Sequence, residues 1–191
     1  DGSTWTEITD MGGNKYQCVN AGTTTAALVG GGVDGYQPPP LTEVEEYNGT
    51  SWAEVTDLGA ARYSFLQGVG TQTAALAVGG RTPSVTDIVD EYNGASWTSY
   101  PALNTGRASG AASGSTTAAL AFGGDGPGEL GVVETFNGTS WTEDTALNTA
   151  RSLGGSAFQA SNTTSIYFGG NPKRVITEQW NGTSWTETAD M

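Results

Sequence analysis

Residues 117–141 read TAALAFGGDGPGELGVVETFNGTSW, and this stretch decides the fold because its order occurs four times. A small apolar run closed by two glycines, a variable segment, a run ending in an aromatic, then Asn-Gly and Trp return from Thr25, Thr73 and Thr164. Three markers keep the same phase. Trp5, Trp52, Trp97, Trp141 and Trp185 recur every 44–47 residues, and so do the basic residues Lys15, Arg62, Arg107 and Arg151. The glycine pairs beginning at Gly31, Gly79, Gly123 and Gly169 recur every 44–48. Self-similarity at such a period marks a solenoid, a propeller or an array before any local propensity is weighed.

Each unit reads as four short strands. Strand a follows the basic residue, as in Arg62 to Val69; strand b is the apolar run, TAALAVGG in the second unit. Such a continuous small and apolar run suits a strand buried on both faces. Strand c ends in Tyr47, Tyr92, Phe136 or Trp180, and strand d starts at the repeated Trp. Asn-Gly between them predicts a two-residue type I′ hairpin, which needs φ > 0 at both central positions. Strand d is the most polar, with Glu54, Asp57, Glu143, Asp144 and Glu187, so it is expected at the outer edge, where charge discourages edge pairing. Four strands graded from apolar to polar make one propeller blade.

The units run at about 12–58, 59–103, 104–147 and 148–191, in a single domain over 1–191. Residues 1–11 repeat the end of a unit, an outer strand left over from a preceding or shared blade. Because the sequence begins abruptly at the turn before that strand, upstream chain is the favoured source, with completion of a blade in another molecule as the alternative. The latter would make the extra strand a device for homo-oligomers.

Twenty acidic against seven basic residues give a net charge of −13, which opposes nucleic acid as a partner. No apolar run is longer than a strand, so no membrane insertion is expected. Cys18 is the lone cysteine; it permits no intrachain disulfide and reads as a small buried thiol. The chain has no histidine, which removes the commonest general base and metal ligand. Asp1-Gly2-Ser3-Thr4-Trp5 lacks the residue that the sialidase Asp box has between Asp and Gly, and its spacing is that of the Asn-Gly-Thr-Ser-Trp hairpins, so it reads as a hairpin turn. No carboxylate stands apart from its repeat equivalents as a glycosidase acid or base would. A non-enzyme with no cofactor and no metal is expected.

The order of basic residue, apolar strand, Gly-Gly, aromatic and Trp resembles the kelch-type β-propeller repeat over essentially the whole chain. Gly79-Gly80, Tyr92 and Trp97 fall where that pattern ends strand b, ends strand c and starts strand d. The fold implied is an all-β, kelch-like propeller of four complete blades plus the extra strand, either whole or part of a larger ring. Lys15 for Arg, Gly30 before the glycine pair and Trp180 for Tyr depart from the pattern in the first and last units, where a seam is expected. Kelch-like copper oxidases need histidine ligands, so that activity is excluded. The wording AALAFGG, EEYNGTSWTE and LNTAR also resembles propeller arrays of marine bacteriophage virions and tail fibres. This resemblance implies a structural or adhesive module, virion or extracellular, whose partners are other virion or fibre subunits and a host-surface glycan or protein. A cellular or secreted carbohydrate- or protein-binding propeller is the alternative.

Residues that recur in every repeat are read as its building devices: Gly31, Gly79, Gly123 and Gly169; Trp52, Trp97, Trp141 and Trp185; and Arg62, Arg107 and Arg151. An acid stands two residues before each strand c aromatic, at Glu45, Asp90, Glu134 and Glu178, and a partly buried Arg needs such a partner. An exposed cationic ring binding an anion is the alternative role. Recognition is expected in the variable loops after the glycine pairs. The first loop is the longest and holds Asp34, Tyr36 and Gln37, a set suited to carbohydrate through stacking and hydrogen bonds.

Overall fold

The computed structural model describes residues 3–35, 39–157, 160–172 and 174–191. Those residues contain no helix and form four antiparallel sheets of four strands each. Sheet 1 is β1 (Val19–Gly22), β2 (Ala27–Gly30), β3 (Val44–Tyr47) and β4 (Trp52–Val55). Sheet 2 is β5 (Val69–Thr71), β6 (Ala74–Val78), β7 (Val89–Tyr92) and β8 (Trp97–Tyr100). Sheet 3 is β9 (Ala111–Ser115), β10 (Ala118–Phe122), β11 (Val133–Phe136) and β12 (Trp141–Asp144). Sheet 4 is β13 (Gly155–Ser156), β14 (Ser165–Phe168), β15 (Thr177–Trp180) and β16 (Trp185–Glu187).

Strands pair in chain order within every sheet, so each unit is one blade-like meander whose edges are its first and fourth strands. Burial follows composition. In β6 and β10 four of five residues are buried, whereas β8 and β12 expose their two central residues. The polar strand d is an edge in all four sheets, as its charge pattern requires.

The core lies between sheets. One face of each inner sheet packs on the preceding sheet and the other on the next. Leu28 and Val44 of sheet 1 meet Ala75, Ala77 and Tyr92 of sheet 2. Leu76 and Val89 of sheet 2 meet Ala119, Ala121 and Phe136 of sheet 3. Leu120 and Phe122 of sheet 3 meet Tyr167 and Trp185 of sheet 4. In the first two of these joints, alanine on one wall and larger side chains on the other let neighbouring sheets approach closely, and Tyr167 replaces the alanine in the third. Among the described residues no such cluster joins sheet 4 to sheet 1.

Two local expectations are corrected. Strand a does not begin at the basic residue: β5 starts at Val69, seven residues after Arg62. Between the two, Gln17, Ser64, Ser109 and Leu153 adopt φ of +52° to +57°, which interrupts an extended chain. Those residues serve the joint between sheets, since Ser109 N–H donates to the Ser64 carbonyl and Leu153 N–H to that of Ser109, at 2.9 and 2.7 Å. The Asn-Gly hairpins are four-residue loops, not two-residue type I′ turns: Tyr47 pairs with Trp52, and Phe136 with Trp141. Only the glycine has positive φ, +87° to +93° at Gly49, Gly94, Gly138 and Gly182. The asparagine instead uses its side chain, Asn137 Oδ1 accepting from Thr139 and Ser140 N–H at 2.9 and 3.0 Å, which closes the turn as a backbone carbonyl would.

Among the described residues, 5–11 belong to none of the four sheets, and Trp5 is fully exposed. Their placement still follows the repeat. Thr9 Oγ1 donates to the Thr50 carbonyl as Thr56 Oγ1 does to that of Ala95 one unit later, both at 2.8 Å.

Candidate functional site

The recurring basic residues are buried and paired with the recurring acids. Lys15 Nζ lies 2.6 Å from Glu45 Oε1, and Arg62, Arg107 and Arg151 bond Asp90, Glu134 and Glu178. The three guanidinium groups are fully buried, a costly position that their carboxylate and carbonyl partners offset, although Nε of Arg62 and of Arg151 has no partner among the described residues. Arg107 donates also to the Val132 and Thr105 carbonyls at 2.6 and 3.2 Å. Arg62 reaches the Gly79 and Ile88 carbonyls at 2.7 and 2.9 Å, and Arg151 those of Thr149 and Tyr167 at 2.9 and 2.8 Å. Each basic residue therefore ties strand c of its own sheet to the start of its unit, and the three arginines are enclosed away from solvent.

Reading the sequence misses the second set of partners. Asn104 N–H and Nδ2 donate to Glu134 at 2.7 and 2.8 Å, and Nδ2 also reaches the Trp141 carbonyl at 2.9 Å. Asn148 repeats this arrangement on Glu178 and the Trp185 carbonyl. The signal was the tripeptide Leu-Asn-Thr before each of these arginines, at 103–105 and 147–149. Gly12 and Gly59 stand in its place in the first two units. At Glu45 burial raises the pKa, but the Gly12 N–H at 2.7 Å and the Lys15 ammonium outweigh it and hold the carboxyl below its ordinary value. At the shorter Asp90 burial prevails over Arg62, and the carboxyl is raised. Cys18 is half-buried, not fully enclosed, and burial pushes its thiol up.

The repeated aromatics are likewise structural in their contacts. Tyr47–Trp52, Tyr92–Trp97, Phe136–Trp141 and Trp180–Trp185 stack across the strand c to strand d pairs with centroids 5.0–5.5 Å apart. The glycine pairs sit where the next unit crosses. Gly31, Gly79 and Gly123 have φ of +59° to +64°, and a Cβ on any of them would run into the carbonyl of Arg62, Arg107 or Arg151. The following glycine donates to that carbonyl: Gly32 to Arg62 at 2.7 Å, Gly80 to Arg107 and Gly124 to Arg151 at 2.9 Å. Gly169, at φ +67°, has no atom of another sheet within 4 Å of such a Cβ.

With the repeated side chains engaged in the scaffold, the variable loops between strands b and c leave each sheet at the same end, beside the basic residues. The second, third and fourth are cross-linked. Arg81 of the second loop bonds Asp125 of the third, and Asn171 of the fourth donates to Glu129 of the third at 2.8 Å. Of the loop residues read as binding candidates, Asp34 is exposed, while Tyr36 and Gln37 lie outside the described residues. Asp34 borders a cleft of about 440 Å³ with Asp10, Lys15, Glu43, Trp52 and Glu54. An indole beside several carboxylates can stack on a ring and accept hydrogen bonds from hydroxyls. A second cavity of about 680 Å³ lies against β1 and β2, with Gln67 and Ser156 on its other side. Gln67 spans this inner rim, donating to the Gly154 carbonyl at 3.1 Å and accepting from Ser156 Oγ. No group of three or more Asp, Glu, Cys or His among the described residues is placed to hold a metal ion.

No protein-family model matches the chain, and none of the curated proteins compared with it is similar.

Proposed function

We propose that this chain is a kelch-like β-propeller, or a four-blade part of a larger one, acting as a non-catalytic display scaffold for surface recognition. The observation that carries this reading is a division of labour within the repeat. The recurring Arg, acid, Gly and Trp residues are consumed in packing, and the segments that differ between units emerge as loops at one end, three of them cross-linked. A rigid scaffold with variable loops is a common arrangement for binding. The partner class is a host-surface glycan or protein, and the setting a phage virion or tail fibre with other fibre subunits, on the strength of the repeat's resemblance to those arrays. A secreted or cellular carbohydrate-binding propeller is the second reading, favoured by Trp52 beside the carboxylates at Asp34 and Glu54.

A glycan array and a host-cell binding assay with the wild-type chain and an Asp34→Ala/Tyr36→Ala variant test the proposal. Binding that weakens at least about tenfold while the melting temperature holds within about 2 °C is expected for an exposed recognition loop. Turnover of a bound oligosaccharide, or the same binding after all four loops are replaced by Gly-Ser linkers, would contradict it.

A further inference from the structure

In the third and fourth units one side-chain amide bridges two acceptors. Asn104 Nδ2 donates to Glu134 Oε2 and to the Trp141 carbonyl at 2.8 and 2.9 Å, and Asn148 Nδ2 to Glu178 Oε2 and the Trp185 carbonyl at 2.8 and 3.0 Å. Each of these glutamates accepts four N–H bonds in all, the others coming from two backbone N–H groups and an arginine, which fills the capacity of a carboxylate. Sheet 1 has the same register, with Tyr47 opposite Trp52 as Phe136 is opposite Trp141, so its matching acceptors are Glu45 Oε2 and the Trp52 carbonyl. Gly12 stands where the asparagines stand and brings no amide.

Glu45 is only 6 % exposed, yet among the described residues it accepts from the Gly12 N–H and Lys15 alone, two donors fewer than its counterparts. The space that the amide fills in the later units belongs here to the cleft of about 440 Å³, which Glu45 and Trp52 both line. A Cβ on Gly12 would lie 3.4 Å from Glu45 Oε2, an ordinary contact, so the cleft reaches the carboxylate from the side on which Asn104 binds Glu134. Both walls are described chain, since residues 10–15 follow the course of the later connections, as the Thr9 bond to Thr50 shows. Gly59, the other glycine at this position, faces the shorter Asp90, and a Cβ there meets no atom within 4 Å. The second unit therefore has no carboxylate in reach of that place. Asp10, Asp34, Glu43 and Glu54 join Glu45 around the cleft of the first unit, against the single cation Lys15.

We propose that this cleft binds the protonated primary amine of a small ligand, the ammonium taking the place of the Asn104 amide and donating to Glu45 Oε2 and the Trp52 carbonyl. An ammonium carries three donors and no acceptor, so it serves both atoms and keeps one N–H for a neighbouring carboxylate. Its bond to the buried carboxylate is charge-assisted and stronger than that of an amide. A neutral amide would fit the two acceptors, but five carboxylates against one lysine select a cation. The ligand class is an amino sugar. Its ring stacks on Trp52, which rests on the reading of this cleft as a carbohydrate site, while its amine rests on the repeat geometry alone.

The test is isothermal titration of the 191-residue chain with glucosamine, glucose, N-acetylglucosamine and ethanolamine at about pH 6, where both amines are protonated. Glucosamine is expected to bind at least about tenfold more tightly than glucose or N-acetylglucosamine, which share its ring and lack its charge. Gly12→Asn supplies the chain's own amide. It should weaken glucosamine binding at least about tenfold while raising the melting temperature by about 2–4 °C, which separates a filled site from a damaged fold. Gly59→Asn makes the same change one unit on and should leave binding unchanged. Ethanolamine matching glucosamine would support the ammonium site and count against the carbohydrate reading, whereas glucose matching glucosamine would overturn the ammonium and leave that reading standing. Glucosamine that does not bind at about 10 mM, or that binds Gly12→Asn as well as the wild type, also overturns the proposal.

Discussion

Arg107 carries more of the fold than its charge suggests. It is fully buried with Glu134, and that carboxylate also accepts from Asn104 and Thr105. Removing one member of such a pair leaves the other charged and unpaired away from water. Arg107→Ala is therefore expected to cost about 3–5 kcal/mol, lowering the melting temperature by roughly 10 °C in calorimetry. Arg107→Met/Glu134→Leu should recover much of that loss, because both charges leave together. An Arg107→Ala chain melting with the wild type would refute the structural role. At alkaline pH the informative residue is Tyr92. Burial and then the neighbouring Glu46 carboxylate push its phenol up to about 12. Because the folded value lies above the ordinary one, its contribution is intact below about pH 10 and is lost as pH rises toward 12. Tyr92→Phe should flatten that part of a stability-against-pH curve measured by urea unfolding. The pairing of bases with acids was legible in the sequence because both keep one period. The role of Asn104 and Asn148 was not, since two of the four units lack it and only the Leu-Asn-Thr repetition hinted at it.

At the scale of the element, the hairpins and the first strands are instructive. Asn137 accepts two N–H groups, so Asn137→Ala should cost about 1 kcal/mol, or roughly 2–4 °C. Asn137→Asp keeps the acceptor and should be nearly neutral by the same measurement. Gly138→Ala places a side chain at φ +90° and 3.2 Å from the Thr117 carbonyl, and is expected to cost about 1–3 kcal/mol. Strands b, c and d were legible from the apolar run, the aromatic and the Trp, because each reflects burial on a sheet. The start of strand a was not. The residues after Lys15, Arg62, Arg107 and Arg151 are apolar enough to read as strand, but they are apolar because they line a joint between sheets. Likewise Asn-Gly marked the turns correctly, while local chemistry left open whether the backbone or the Asn side chain would close them.

For the molecule as a whole, one repeat gives one sheet, and stability resides in the joints between successive sheets, as in other arrays whose units contact only their neighbours. A single unit cannot bury both faces of its apolar strand b, which is why β6 and β10 are enclosed while β2 and β14 remain half-buried on their outer faces. The four-unit period made this architecture legible from the sequence. The variable loops were legible as candidates for recognition, but what they bind depends on side-chain presentation that a repeat pattern does not encode. The loop-to-loop links through Arg81–Asp125 and Asn171–Glu129 were likewise hidden, because they join residues that differ from unit to unit.

Amide hydrogen exchange by NMR, resolved at four glycines, tests the joints most directly. Gly32, Gly80 and Gly124 donate across them and should exchange slowly, with protection approaching that of global unfolding. Gly170, without a partner in another sheet among the described residues, should exchange much faster. Rapid exchange at Gly80 and Gly124 would mean that successive sheets do not pack as described. Equal protection at all four glycines would mean that Gly170 too donates to a carbonyl across a joint, contradicting the difference described.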